Sequence, residues 1–185
     1  MGGCSKSTSE APPKGPDSYR VKFETTKGDF YVDVVRSWSP IGADRFHQLV
    51  TMGFFDGARF FRIVPGFVVQ FGLKGDPAVD QKWGDANIED DSPGMSNTPA
   101  TITFANRGPG TRSTQIFINL GDNRRLDPQG FTPFGRVTEG MSVVTQFNSS
   151  YGESPDQMRI RNEGNAYLQR EFPNLDYIKK ATVVN

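Results

Sequence analysis

Arg62 and Gln70 are the residues whose chemistry stands out first, because each interrupts an apolar run, Phe60-Phe61-Arg62-Ile63-Val64-Pro65-Gly66-Phe67-Val68-Val69-Gln70-Phe71. A guanidinium inside such a run is costly unless it reaches water or a partner. The two stand four residues either side of Gly66, so a strand, a Pro-Gly turn and a returning strand would bring them together. Beside large rings, a guanidinium and an amide make a site that grips a peptide group and buries a ring. The same segment also reads as an edge strand whose arginine simply reaches solvent. Other chemistries find less support. There is no G-x-S-x-G elbow, and the single cysteine, Cys4, lies in a polar terminal stretch. The single histidine, His47, falls inside a helical pattern, where a packing or surface role outweighs general-base work. Glu89-Asp90-Asp91 lacks the spacing of a calcium loop and reads as a solvated loop. Arg107-Gly108-Pro109-Gly110-Thr111 is glycine-rich but has no phosphate-loop lysine. One cysteine and one histidine exclude zinc fingers, disulfide scaffolds and His-cluster metal sites, so neither metal nor cofactor is expected.

The elements that must position Arg62 and Gln70 are short. A length of 185 residues suits one domain, and 20 glycines with 13 prolines favour short strands over long helices. The 15 phenylalanines are the expected core. Twenty-one basic residues against 21 acidic ones argue against capture of nucleic acid or of an anionic membrane surface. No stretch approaches 18 apolar residues. Period-two alternation in 19–25 and 30–35, around Lys27-Gly28-Asp29, predicts a hairpin. Ser39 as N-cap and Pro40 at the first position open a helix with Ile41, Phe46, Leu49 and Val50 on its apolar stripe, ended by Gly53. Further strands are expected at 59–64, 67–71, 101–105, 115–120, 134–137 and 177–184, and short helices at 141–147 and 158–172. The stretch 76–97 reads as a long surface loop. Many short strands with two principal helices point to a mainly β closed antiparallel barrel or a sandwich. Residues 1–18 read as a disordered tether ahead of a folded domain at 19–185.

Three blocks in order carry a resemblance. Phe60 to Gln70, Phe104-Ala105-Asn106-Arg107-Gly108-Pro109 through Ser113-Thr114-Gln115-Ile116-Phe117-Ile118, and Leu126-Asp127 followed by Phe134-Gly135-Arg136-Val137 resemble the cyclophilin family of peptidyl-prolyl cis-trans isomerases. The similarity runs from about Tyr19 to the C-terminus, and the phrases at 129–135 and 177–182 look bacterial. The resemblance implies a closed eight-stranded antiparallel barrel capped by two α-helices, with residues 157–172 as an extra C-terminal helical insertion. It implies a folding factor that accelerates rotation about X-Pro bonds in polypeptides. Arg62 would donate to the prolyl nitrogen of the twisted amide, and Gln70 would hold the substrate carbonyl and orient Arg62. Asn106 would bond the peptide backbone, with Phe67, Val68, Phe117 and Leu126 forming the proline slot and Ala105 and Gln115 its wall.

Departures from the family pattern carry expectations of their own. Phe131 stands where many members have histidine, which makes that wall apolar and insensitive to pH. Arg125 falls at a position where tryptophan is common, so weak cyclosporin binding is expected. Arg107 borders a neighbouring pocket for the side chain two before the proline, and either narrows it or favours acidic side chains. Two alternatives stay open: a non-catalytic proline-peptide binding module on the same fold, and a hydrolase using His47. Gly2-Gly3-Cys4 resembles the end of a lipobox and predicts a cell-envelope protein anchored to a membrane only by a lipid on Cys4; an incidental cysteine leaves it cytoplasmic. A monomer is expected.

Overall fold

The computed structural model describes residues 10–184. Alternation in the first expected hairpin is realised as β1 (Ser18–Thr25) and β2 (Gly28–Val35), which pair Thr25 with Gly28 across a two-residue turn. Their inward residues meet in register, Val21 against Val32 and Phe23 against Phe30, with the two phenyl rings stacked at 4.7 Å. Then follow α1 (Pro40–Thr51), β3 (Arg62–Val64), β4 (Val68–Phe71), α2 (Pro77–Gly84), β5 (Thr101–Phe104), β6 (Ile116–Asn119), β7 (Pro133–Glu139) and α3 (Met141–Val144). The chain ends with α4 (Gln157–Glu163), α5 (Asn165–Glu171) and β8 (Ile178–Val184). The eight strands form one antiparallel sheet in the order β3-β4-β6-β5-β7-β2-β1-β8.

The sheet curls around a phenylalanine core. Phe23, Phe30, Phe46, Phe55, Phe60, Phe71, Phe104 and Phe134 are all fully buried there, and α1 supplies Phe46, Leu49 and Val50. Phe60 stacks on Phe147 at 4.0 Å. Its neighbour Phe61 joins a second cluster with Leu73, Ile160, Tyr167, Leu168 and Leu175. Successive residues of an extended chain point to opposite faces, so the Phe60-Phe61 pair glues the main core on one side and α4 and α5 on the other. The end strands β3 and β8 form no ladder together. The chain leading into each is joined by an Arg59–Tyr177 bridge and by the Phe60 N–H donating to Asp176 O at 3.0 Å.

Four expectations are corrected, those for 76–97, Ser39, Asp91 and 158–172, and the terminal stretch is described only in part. The stretch 76–97 is not all loop, since Asp76 caps α2 by accepting from the Ala78 N–H at 3.1 Å, with Pro77 in the first turn. Its polar sequence hid the helix, and buried Asp80 holds it by accepting from the Lys74 and Gly75 N–H groups. Ser39 does not cap α1; its hydroxyl donates to Asp91 at 2.5 Å, and that carboxylate accepts from the Ile41 and Gly42 N–H groups. Asp91 is therefore buried and functions as a remote cap, not as part of a solvated loop. The single helix expected over 158–172 is two. Gly164 separates them with φ +70°, and a Cβ there would sit 2.4 Å from Gly75 O. Of the terminal stretch 1–18, the part from Glu10 is described and is held to the body by the Gly15 N–H donating to Asp44 at 2.9 Å and the Arg36 N–H to Asp17 O at 2.9 Å. Cys4 lies outside the described residues.

Candidate active site

The Val64-Pro65-Gly66-Phe67 turn, closed by the Phe67 N–H donating to Val64 O at 2.9 Å, folds β3 onto β4 and puts Arg62 directly opposite Gln70. Gly66, at φ +73°, supplies the left-handed residue the turn needs. One Nη of Arg62 donates to Gln70 Oε1 at 3.0 Å, Gln70 Nε2 donates to Gln115 Oε1 at 2.8 Å, and Gln115 Nε2 donates to Gln157 Oε1 at 3.1 Å. The other Nη of Arg62 donates to Glu153 at 2.8 Å. The result is a row of five side chains, Arg62 on β3, Gln70 on β4 and Gln115 just ahead of β6, with both ends supplied by one C-terminal segment. Gln70 and Gln115 are at least nine-tenths buried, whereas Arg62 stays partly open to solvent.

Beside this row lies an apolar wall. Gln70 pairs across the ladder with Phe117, whose buried ring meets Phe131 edge-on at 5.8 Å, and Val68 is buried next to them. Phe67 is half-buried, with the Arg62 and Arg125 guanidinium carbons 5.9 and 4.9 Å from its centroid. The wall is braced from behind by polar side chains. Asn97 donates to Asp127 at 2.8 Å and to Phe131 O at 2.9 Å, and Asn123 donates to Phe67 O at 2.9 Å and to Asn119 at 2.8 Å. Asn119 in turn donates to Asn97 at 3.1 Å, so one network fixes Phe67, Phe131 and the 3₁₀ turn carrying Leu126. Burial pushes the Asp127 carboxyl up, but bonds from Asn97 and Ser96 and the charge of Arg124 outweigh it and hold it below the usual range.

A cavity of about 280 Å³ opens at the other side of the row. Gln70, Ala105, Asn106, Arg107 and Gln115, all expected at the site, line it together with Thr111, Ser113, Gln157, Met158 and Arg161. Asn106 also closes its own turn, accepting from the Gly108 N–H at 3.1 Å, and the Gly110 N–H donates to Asp90 at 2.9 Å. The structure thus gathers Arg62, Phe67, Val68, Gln70, Phe117 and Phe131 on one side, and the cavity residues on the other, with Gln70 shared. His47 is elsewhere, on α1, with its ring edge-on to Tyr19 at 4.9 Å. Among the described residues no cluster of His, Cys, Asp or Glu is placed to hold a metal ion. Sequence reasoning missed Glu153, Gln157, Met158 and Arg161, and the brace of Asn97, Asn119, Asn123 and Asp127. Nothing local marks them, because their partners lie up to 91 positions away.

Residues 20–165 match the family described as Cyclophilin type peptidyl-prolyl cis-trans isomerase/CLD. The chain belongs to the cyclophilin family. Among similar cyclophilins, a peptidyl-prolyl cis-trans isomerase-like 1 of Aspergillus fumigatus is 34% identical over 143 residues, covering 74% of this chain and 86% of that protein. A peptidyl-prolyl cis-trans isomerase of the bacterium Acinetobacter baylyi is 31% identical over 142 residues, 71% of this chain and 75% of that one. A cyclophilin type isomerase of Cryptosporidium parvum, whose crystal structure was determined in the presence of the dipeptide Ala-Pro, superposes with a TM-score of 0.67 at 19% identity, over 90% of this chain and 99% of that one. The isomerase activity implied by the three sequence blocks is that of the family, as is the mainly antiparallel eight-stranded sheet with its helices.

Proposed function

We propose that this cyclophilin isomerises X-Pro bonds by stabilising the twisted amide with Arg62, with proline-containing polypeptides as substrates. The observation that carries the reading is the Arg62–Gln70 pair, 3.0 Å apart on adjacent strands and flanked by Phe67 and Phe117. Amide resonance sets the barrier at about 20 kcal/mol and leaves the uncatalysed step at tens of seconds. Lowering it by about 7 kcal/mol gives an acceleration of about 10⁵-fold. No bond breaks and no proton moves, so histidine, thiol and metal are unnecessary. As the bond twists, the prolyl nitrogen turns pyramidal and gains a lone pair that a fixed guanidinium can meet; this bond is absent from the planar ground state. Gln70 and Glu153 hold Arg62 at two of its nitrogens, which removes rotamer freedom before substrate arrives. Gln70 and Asn106 bind the peptide backbone, Ala105 and Gln115 wall the site, and Phe67, Val68, Phe117, Leu126 and Phe131 take the proline ring.

The finer architecture belongs to the same reading. The sheet is a barrel closed through the Arg59–Tyr177 bridge, and α4 with α5 is an insertion that the barrel itself does not need. With Arg125 above Phe67 in place of an aromatic ring, cyclosporin binds weakly. A monomer and a lipid on Cys4 rest on sequence alone; intact mass of the native protein tests the lipid.

The deciding experiment is cis-trans exchange of an X-Pro tetrapeptide by NMR, with wild type and Arg62→Ala. We expect wild type to speed exchange and the variant to lose at least about 10²-fold, the usual effect of removing one preorganised donor. Binding without faster exchange in wild type makes the chain a proline-binding module. Equal exchange by both proteins refutes the role of Arg62.

A further inference from the structure

We infer that Gln157, on α4, is a positioning residue for isomerisation: together with Glu153 it closes the Arg62–Gln70–Gln115 row into a ring that holds the Arg62 guanidinium in one orientation. Such a role presupposes that Arg62 acts on the twisted amide. A guanidinium has donors only, so Gln70 must turn its Oε1 to Arg62, at 3.0 Å. Gln70 Nε2 is then left for Gln115 Oε1, and Gln115 Nε2 for Gln157 Oε1, at 2.8 and 3.1 Å. Every amide in the row has one usable orientation, and the row can end only on an acceptor. Gln157 supplies it. Without that acceptor nothing holds the Gln115 amide against turning over, and its Nε2 then competes with Arg62 for Gln70 Oε1.

Gln157 stands four residues after Glu153, whose carboxylate accepts from the other Nη of Arg62 at 2.8 Å. The chain around these two is fixed at several points. The Ile63 N–H donates to Gly152 O at 3.3 Å, and the Asp156 N–H donates to the Tyr167 hydroxyl at 3.2 Å. Asp156 also caps α4 by accepting from the Arg159 N–H at 3.1 Å. Ile160 is buried in one cluster with Phe61, the residue before Arg62. Five side chains and the backbone of 153–157 therefore form a closed ring that contains Arg62. An exposed pair such as Glu153–Arg62 is weak when it stands alone, but inside a ring each bond keeps the partners of the next within reach. Opening the ring at either end loosens Arg62. That costs rate and not affinity, since the guanidinium meets the prolyl nitrogen only in the twisted state.

The test is NMR exchange of an X-Pro tetrapeptide by wild type, Glu153→Ala, Gln157→Leu, Gln157→Glu and the double variant Glu153→Ala/Gln157→Leu. Gln157→Leu removes the acceptor and should lower kcat about threefold with KM unchanged. Gln157→Glu keeps an acceptor and should restore most of that loss, which also shows that the fold survives substitution at this position. The double variant should lose about three- to fivefold, short of the roughly ninefold product of two independent losses, because the ring is opened only once. Side-chain amide protons of Gln70 and Gln115 should exchange with solvent faster in Gln157→Leu than in wild type or Gln157→Glu. Unchanged kcat in Gln157→Leu, equal losses in the Leu and Glu variants, or a double variant at the full product overturns the inference while leaving the isomerase intact. A rise in KM at constant kcat also overturns it, by making Gln157 a substrate contact. If wild type itself fails to speed exchange, the catalytic role of Arg62 falls, whereas faster Gln70 amide exchange in Gln157→Leu still supports the ring.

Discussion

At the residue scale, Arg62 is a cation shared between a buried amide and an exposed carboxylate, Glu153, whose side chain is 61% exposed. An exposed ion pair contributes little by itself, about 1 kcal/mol at most. Glu153→Ala is therefore expected to lower kcat by about threefold through looser positioning of Arg62, with KM unchanged and melting temperature hardly moved. A rise in KM with constant kcat would assign Glu153 to substrate contact instead. The brace behind the apolar wall is buried and behaves differently. Asn97→Ala removes the side-chain donor to the Phe131 carbonyl and one of the donors to Asp127, and should cost about 1–3 kcal/mol in urea unfolding. An unchanged midpoint would mean that solvent reaches these groups. Arg62 and Gln70 were legible in the sequence because a charge and an amide in an apolar run violate a local rule. Glu153 and Arg161 violate none.

At the element scale, the α4–α5 junction decides whether the C-terminal segment can reach the site. Phe61, Leu73, Ile160 and Leu168 hold the segment to the outer side of β3 and β4, and the Gly75 carbonyl accepts from the Asn165 N–H at 2.8 Å where the two helices meet. Gly164 combines a left-handed backbone with a close approach to that carbonyl, so Gly164→Ala must strain both. We expect a loss of about 1–3 kcal/mol, with exchange of small peptides preserved. Loss of all exchange would show that the segment is needed for Arg62 itself. The apolar pattern placed strands and α1 close to where they stand, since each is written in a repeat of two or 3.6 residues. It missed α2, which buried Asp80 ties to the chain ahead of it, and it read α4 and α5 as one because glycine alone does not announce a break.

At the scale of the whole molecule, stability rests on stacked phenyl rings and a few paired carboxylates. Phe60→Ala empties a site that stacks on Phe147 and touches Phe71, and should cost about 3–5 kcal/mol. Burial pushes the Asp44 carboxyl up, but Arg36, the Gly15 N–H and Lys14 more than offset it and hold it below the usual range; Asp127 behaves likewise. A depressed folded-state value means these groups add stability above the unfolded value of about 4, and lose it as pH falls through the folded one. Asp80, pushed up by burial, works the other way and favours the folded state at low pH. Asp33 and Glu163, paired with arginines, are also held low, so four depressed carboxylates stand against one raised; acid is expected to destabilise the fold, and Asp44→Asn should flatten the fall in urea midpoint between pH 7 and pH 3. An equally steep fall in that variant would remove Asp44 from the account. By itself the sequence determined the strands, the first helix, the phenylalanine core, and the Arg62–Gln70 pairing across a Pro-Gly turn, because these depend on neighbours within about ten residues. Only the tertiary structure decided what surrounds that pair: the Asp91 cap on α1, the asparagine brace, and a C-terminal segment that supplies Glu153, Gln157 and Arg161. Those contacts join residues tens of positions apart, and their partners are selected by the curl of the sheet and the packing of Phe61, which no local pattern encodes.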